Sequence, residues 1–332
     1  MSPASSDDGV TGRDDAPGSV FARLDRPAGE HTRIALVADP HVSTRAEGTS
    51  KLFEETLDHF EAALADIETR DVDAVLSPGD LTKDGEPWNY EAVDEALADL
   101  DVPFLAVPGN HDVPKERDEH ETPGLGRFTE RYTPDDPVSR GPDGLSFRTR
   151  VGGLDVFGLN SAGTAERLFD SHEGHVEARQ REWLADELET AETPVVLVHH
   201  NLPAITEQLD AHREAVEPEF ADIPAMADPE PFVETVADGD VELVLAGHYH
   251  IPTTGVSGGV REVTVPTTCS FPQSYLLADV TPEGTTVRLV SVADDTGLES
   301  AHARRVADSP TARGLTSVAA ARLAAFPLVD ER

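Results

Sequence analysis

Five short motifs in this 332-residue chain supply aspartate, asparagine and histidine in a fixed order. They are Asp39-Pro40-His41, Gly79-Asp80, Gly109-Asn110-His111-Asp112, Val198-His199-His200 and Gly247-His248-Tyr249-His250. Carboxylate, amide oxygen and imidazole together suit Mn, Fe, Co or Zn better than Ca or Mg. Two such ions about 3.5–4 Å apart are a common apparatus for hydrolysing phosphate esters. Singly the motifs say little, since Gly-Asp is an ordinary turn and a lone Asp-x-His is an ordinary loop pair. Their joint occurrence, nearly always behind an apolar run, points to one shared site.

The apolar runs are the elements that must position these groups. Ile34-Ala35-Leu36-Val37-Ala38 reads as a buried strand ending at Asp39. Leu52, Phe53, Leu57, Phe60, Ala63, Leu64 and Ile67 form a helical stripe over 50–69. Ala74-Val75-Leu76 feeds Gly79-Asp80, a helix is expected over 87–99, and Phe104 to Val107 leads to Gly109-Asn110. This βαβαβ opening predicts parallel strands with their motif-bearing ends on one edge, where open α/β sheets bind ligands.

Residues 112–143 are polar and punctuated by proline, with Phe128 and Tyr132 as candidate anchors. Strands follow around 144–150 and 154–159, then a helix near 176–189 and the strand Val195 to Val198 leading to His199. Residues 201–229 read as a second long irregular segment, ahead of a helix at 230–237. The strand Val241 to Leu245 delivers Gly247-His248, and short strands are expected at 253–256, 260–265, 274–280 and 285–291. Two facing sheets with helices outside is the simplest packing. Residues 1–30 read as a flexible acidic tail, 31–292 as the domain, and 293–332 as a C-terminal extension helical around Val318 to Leu323.

The formal charge is -38, from 64 Asp and Glu against 26 Lys and Arg, and the lysines are Lys51, Lys83 and Lys115 alone. Such composition fits the surface of a protein in a high-salt cytoplasm, where screening removes self-repulsion. The periodic elements argue against an acidic disordered chain. The single cysteine, Cys269, excludes an intrachain disulfide and reads as a small buried residue. No apolar run reaches the ~20 residues that span a bilayer, and no signal peptide is evident, so a cytoplasmic location without membrane partner is expected.

Motif for motif, residues 32 to 290 resemble the calcineurin-like metallophosphoesterases. The string Gly79-Asp80-Leu81-Thr82-Lys83-Asp84-Gly85-Glu86-Pro87 resembles their cyclic-nucleotide and glycerophosphodiester phosphodiesterase branch. The resemblance implies an α/β fold, a four-layer α/β/β/α sandwich of two mixed sheets with the active site at strand carboxyl ends. It implies two divalent or trivalent transition metal ions (Mn, Fe, Co or Zn), bridged by Asp80. Asp39, His41 and His250 complete the first metal; Asn110, His199 and His248 complete the second. His111 is implied as the catalytic residue over the phosphate, stabilising the transition state or protonating the leaving group. Asp84 and Asp112 are candidates to orient it, or else cap a turn or lie in solvent, while His200 faces either the substrate or the far side of its strand. Strand alternation would turn Tyr249 away from the metals. The implied reaction is attack by metal-bound water on a small-molecule phosphate ester, with no covalent intermediate. A nuclease, a phosphomonoesterase and a non-catalytic scaffold are the alternatives. Nucleic acid ranks lower as a partner because the loops 112–143 and 201–229 are acidic or mixed, and oligomeric state is left open.

Overall fold

The computed structural model describes residues 18–115, 118–164, 167–168, 173–221 and 223–332. One seven-stranded sheet contains β1 (Ser19–Leu24), β2 (Thr32–Leu36), β3 (Ala74–Ser77), β4 (Phe104–Ala106), β14 (Ser274–Thr281), β15 (Gly284–Ser291) and β16 (Val329–Asp330), in the order β16-β1-β15-β14-β2-β3-β4. The other contains β5 (Ser139–Arg140), β6 (Phe147–Val151), β7 (Leu154–Gly158), β10 (Pro194–Leu197), β11 (Leu243–Ala246), β12 (Thr253–Ser257) and β13 (Val260–Thr264), in the order β12-β13-β11-β10-β7-β6-β5. A small hairpin pairs β8 (Gly163–Thr164) with β9 (Arg167–Leu168). Strands β2, β3 and β4 run parallel, as do β7, β10, β11 and β13.

The layers follow from alternation along strands that are apolar on both faces. Ile34 and Leu36 of β2, with Val195 and Leu197 of β10, enter the core between the sheets. Ala35 and Val37 face outward onto α1 (Thr56–Glu68), α2 (Pro87–Leu97) and α3 (Leu125–Tyr132). Val196, Val198 and Val244 face α4 (Ala178–Leu188) and α6 (Glu230–Asp238) on the other side. The result is the expected α/β/β/α order. Phe128 and Tyr132 anchor α3 in the outer core, 4% and 1% exposed.

Several boundaries differ from the sequence reading. Of the expected tail, residues 1–17 lie outside the described residues, whereas Ser19–Leu24 forms β1 because Phe21, Ala22 and Leu24 are fully buried. The helix expected from residue 50 begins at Thr56, because Thr49 (φ 64°) and Leu52 (φ 52°) turn the preceding segment. The irregular segment 201–229 contains α5 (Pro203–Ala215), whose Ile205 and Leu209 are buried. Residues 293–332 pack onto the body of the fold. They form α7 (Asp295–Asp308) and α8 (Pro310–Leu323), which bury Ala301, Val318 and Ala319 with Tyr249 and Phe271, and end in β16 beside β1.

Candidate metal centre

The motif residues lie in turns just past the carboxyl ends of β2, β3, β4, β10 and β11. Asp39 (φ 49°), His41 (φ 43°), Asp80 (φ 55°), His248 (φ 68°) and His250 (φ 56°) all adopt left-handed backbone. Each such residue costs on the order of 1 kcal/mol or more, so five together mark a place where the fold holds strain for a purpose. Hydrogen bonds fix these turns. Thr267 Oγ1 donates to the Asp39 carbonyl at 2.7 Å, and the His41 N–H donates to the Asp80 carbonyl at 3.0 Å. Gly109 packs so closely on Asp80 that a Cβ would lie 2.1 Å from Oδ1, which explains glycine there.

Asp39, His41, Asp80 and His250 offer donor atoms within 4.8 Å of one another. The His41 Nε2 is 3.0 Å from His250 Nε2, which is 3.4 Å from Asp39 Oδ1. Beside this group, Asn110 Oδ1 is 3.0 Å from both His199 Nε2 and His248 Nδ1. Between them lies Asp80 Oδ2, 3.5 Å from His41 Nε2 and 3.5 Å from His199 Nε2. The orientation of two rings is set from behind. His199 Nδ1 is 2.8 Å from the Pro78 carbonyl, and His248 Nε2 is 2.9 Å from the Pro224 carbonyl. A carbonyl only accepts, so those nitrogens carry the protons and the inward nitrogens keep their lone pairs.

Electrostatics fit the same use. Burial pushes Asp39 up to about 8, against the His248 N–H and the charges of Lys51 and Arg305. Burial, then Asp39 and Asp112, hold Asp80 well above the usual carboxylate range. Burial first, then Lys51 beside His41 and His250 and the crowding of other imidazoles around His199, holds all three well below ordinary imidazole values. Neutral imidazoles crowded onto buried carboxylates form a donor set short of positive charge, as metal ligands are before an ion binds. The residues therefore fit a pair of divalent ions.

His111 lies at the edge of this cluster, its ring 4.7 Å from that of His41. Its Nδ1 is 2.8 Å from Asp84 Oδ1 and 2.7 Å from the Lys83 carbonyl, which leaves Nε2 as the working nitrogen. Burial and the Lys51 ammonium favour the neutral ring, outweighing the pull of Asp84. Burial would raise Asp84, yet the hydrogen bond and charge of His111, and Lys83 beside it, hold its carboxyl well below the usual range.

Asp112 caps loops and makes no contact with the His111 ring among the described hydrogen bonds. Its carboxylate accepts from the backbone N–H groups of Leu81, Thr82 and Gly109 at 3.0–3.1 Å, clamping two motif loops together. His200 is fully buried, 2.8 Å from Ser161 Oγ through Nδ1, with its ring 4.8 Å from His199 and 4.6 Å from His248. A Cβ on Gly174 would fall 2.2 Å from that ring, so only glycine passes it. Tyr249 points away because His248 and His250 flank it in a turn, not through strand alternation, and its hydroxyl meets Thr206 Oγ1 at 2.9 Å.

Two cations went unnoticed in the motifs. Lys51 Nζ is 3.1 Å from His41 Nε2, and Arg305 of α7 donates to the His250 carbonyl at 3.1 Å. The scarcity of lysine was a usable signal for Lys51; nothing local marks Arg305. A cavity of about 280 Å³ opens beside the cluster, lined by Lys51, Asp80, Asn110, His111, His248 and Arg305 among others. A larger cleft of about 830 Å³ lies between α4 and α6, at the amino ends of β10 and β11, away from these groups.

The calcineurin-like phosphoesterase family model matches residues 32–252. A probable cyclic nucleotide phosphodiesterase of Psychrobacter sp. strain PRwf-1 is 28% identical over 63% of this chain and 56% of its own length. The DNA double-strand break repair protein Mre11 of Haloferax volcanii is 27% identical over 82% of this chain and 58% of its own length. The chain thus spans a little over half of each. A dimetal phosphatase from Danio rerio shares the fold, with a TM-score of 0.57 and 15% identity over 80% of this chain and 98% of its own. With two mixed sheets, a donor cluster at their strand ends and a family match over most of its length, this chain belongs to the calcineurin-like phosphoesterase family.

Proposed function

We propose that this chain is a metal-dependent phosphoester hydrolase using two metal ions, and that its substrate is a small phosphodiester such as a cyclic nucleotide or a glycerophosphodiester. The observation that carries the reading is Asp80 Oδ2, set 3.5 Å from a histidine nitrogen of each donor group, so that both ions would draw on this one carboxylate. Asp39, His41 and His250 would complete one ion, and Asn110, His199 and His248 the other. When bound, the ions supply Lewis-acid activation of water and neutralise charge gathering on phosphorus. His111 acts from the rim: its Nδ1 proton is held by Asp84 and the Lys83 carbonyl. Nε2 is therefore the nitrogen that would take up a second proton from solvent, the imidazolium being paired with Asp84, and pass it to the departing oxygen. Lys83 braces Asp84, and Asp112 keeps the two loops in register.

The phosphodiesterase name of the Psychrobacter relative supports a diester, and the Mre11 relative makes a nuclease the second reading. The test is a turnover screen of Mn-loaded protein in molar KCl. Substrates are p-nitrophenyl phosphate, its bis ester, a cyclic nucleotide and single-stranded DNA. Hydrolysis of the bis ester and the cyclic nucleotide above the monoester supports the proposal. Activity confined to DNA selects the nuclease, and activity confined to the monoester overturns the diester assignment.

A further inference from the structure

Two cations line the cavity beside the donor cluster, both within reach of the Asp39 charge but neither in contact with a carboxylate. Lys51 comes from the turn before α1, and Arg305, 2% exposed, comes from α7. The Arg305 guanidinium donates only to backbone, to the carbonyls of His250 and Phe271. Among the described residues, neither Lys51 nor Arg305 has a carboxylate oxygen within 4.0 Å, although the chain carries 64 acidic residues. Taking an ion out of water is costly unless an opposite charge meets it closely, and a buried guanidinium that reaches Asp39 only at a distance has room for an anion in direct contact.

A third feature faces the same space. Helix α8 is 14 residues long, and Ser309, Thr311 and Ala312 at its first turn line the cavity wall together with Leu315. Its amino end adds partial positive charge and favours anions. Both α7 and α8 lie beyond the segment 32–252 matched by the family model, so this wall belongs to the chain's own C-terminal part.

We propose that Lys51, Arg305 and the first turn of α8 form an anion subsite that receives a second anionic group, a phosphate or carboxylate carried by the leaving group of the substrate. The proposal rests on the phosphodiesterase reading and narrows it to open-chain diesters, because a cyclic nucleotide has neither a second anionic group nor a separate leaving group. The scissile phosphoryl group is assigned to Asp80 and Asn110, and His111, assigned to the departing oxygen, lines the same cavity as α8, so the departing portion is the one assigned to that wall. Diesters with a charged leaving group are preferred, and a cationic choline-like group is disfavoured.

The experiment compares methyl 4-nitrophenyl phosphate with methyl 3-carboxy-4-nitrophenyl phosphate on metal-loaded, full-length protein. It also measures calorimetric binding of phenylphosphonate and 3-carboxyphenylphosphonate, which are not hydrolysed. The carboxylated member of each pair should be favoured by about tenfold or more, the worth of one charge-assisted hydrogen bond. K51M and R305A should bring each pair to parity, and R305K should recover part of the preference. Metal content and thermal melts accompany every variant, and K51M serves if R305A fails to fold. No preference in the unaltered protein overturns the proposal. Equal loss on both members of each pair also overturns it, and assigns the cations to the scissile group instead. If neither ester is hydrolysed while the carboxylated phosphonate still binds preferentially, the subsite stands and the phosphodiesterase reading fails.

Discussion

Glu262→Gln should flatten the pH dependence of stability. Glu262 lies on β13 and is fully buried, and its carboxyl group accepts from Asn201 Nδ2 at 2.7 Å and the Leu202 N–H at 3.0 Å. It thus pins the segment that follows His199 and His200. Burial pushes its carboxyl from 4.5 up to about 8, the hydrogen bonds from Asn201, Leu202 and Thr264 opposing only in part. A group raised in the folded state is protonated there when the unfolded chain has already ionised. The stability this confers is complete below about pH 4.5 and drains away as pH rises toward about 8. The slope is about 1.4 kcal/mol per pH unit, so the ceiling across that window is on the order of 4–5 kcal/mol. The assay is denaturant unfolding of both proteins at fixed high salt over the same pH range. The wild-type minus variant difference should be largest at the acid end and shrink with rising pH. Parallel curves would refute the reasoning, since they would mean that Glu262 is ionised in the fold.

Four further outcomes are expected. Elemental analysis after metal reloading should give near two equivalents of divalent ion, and Asp80→Ala should lose at least one, because its Oδ2 faces both donor groups. His111→Ala should keep metal and fold yet lower kcat by roughly 10²–10⁴, read by steady-state kinetics, whereas Asp84→Asn should cost less because the Lys83 carbonyl still holds Nδ1. Asp112→Ala should lower the melting temperature by removing three backbone partners, with His111 itself untouched. Melting temperature and activity should rise together from dilute buffer to multimolar KCl, because ~1 M salt shortens the Debye length to ~3 Å across a surface of formal charge -38.

The sandwich was legible where strands are buried on both faces, since Ile34 to Ala38 and Val195 to Val198 must then read as unbroken apolar runs. The same logic located the turns that carry Asp39, Asp80, Asn110, His199 and His248, because each directly follows such a run. Elements held by distant partners were not legible. Strand β1 offers a short stretch whose pairing with β15 and β16 comes from the far end of the chain. Helix α5 has only Ile205 and Leu209 buried, too sparse a stripe to stand out in a segment with proline at 203 and 218. Asp112 sits beside His111 in sequence, yet its carboxylate serves the loop of Asp80, a contact that spacing alone does not reveal.

The charge distribution ties these observations together. All three lysines of this polyanionic chain act on the candidate site. Lys51 lines its cavity, Lys83 pairs with Asp84, and Lys115 bears on His111 and Asp112. Exposed carboxylates repel one another through solvent, and salt screens that repulsion within a few ångströms. A buried guanidinium such as Arg305 is screened far less, since no ions enter between it and a bound oxyanion. Surface and site therefore answer to salt in different ways: high ionic strength relieves the acidic exterior while leaving the interior attraction for an anion largely intact. An acidic enzyme can in this way bind an anionic substrate in concentrated salt without a basic surface to recruit it.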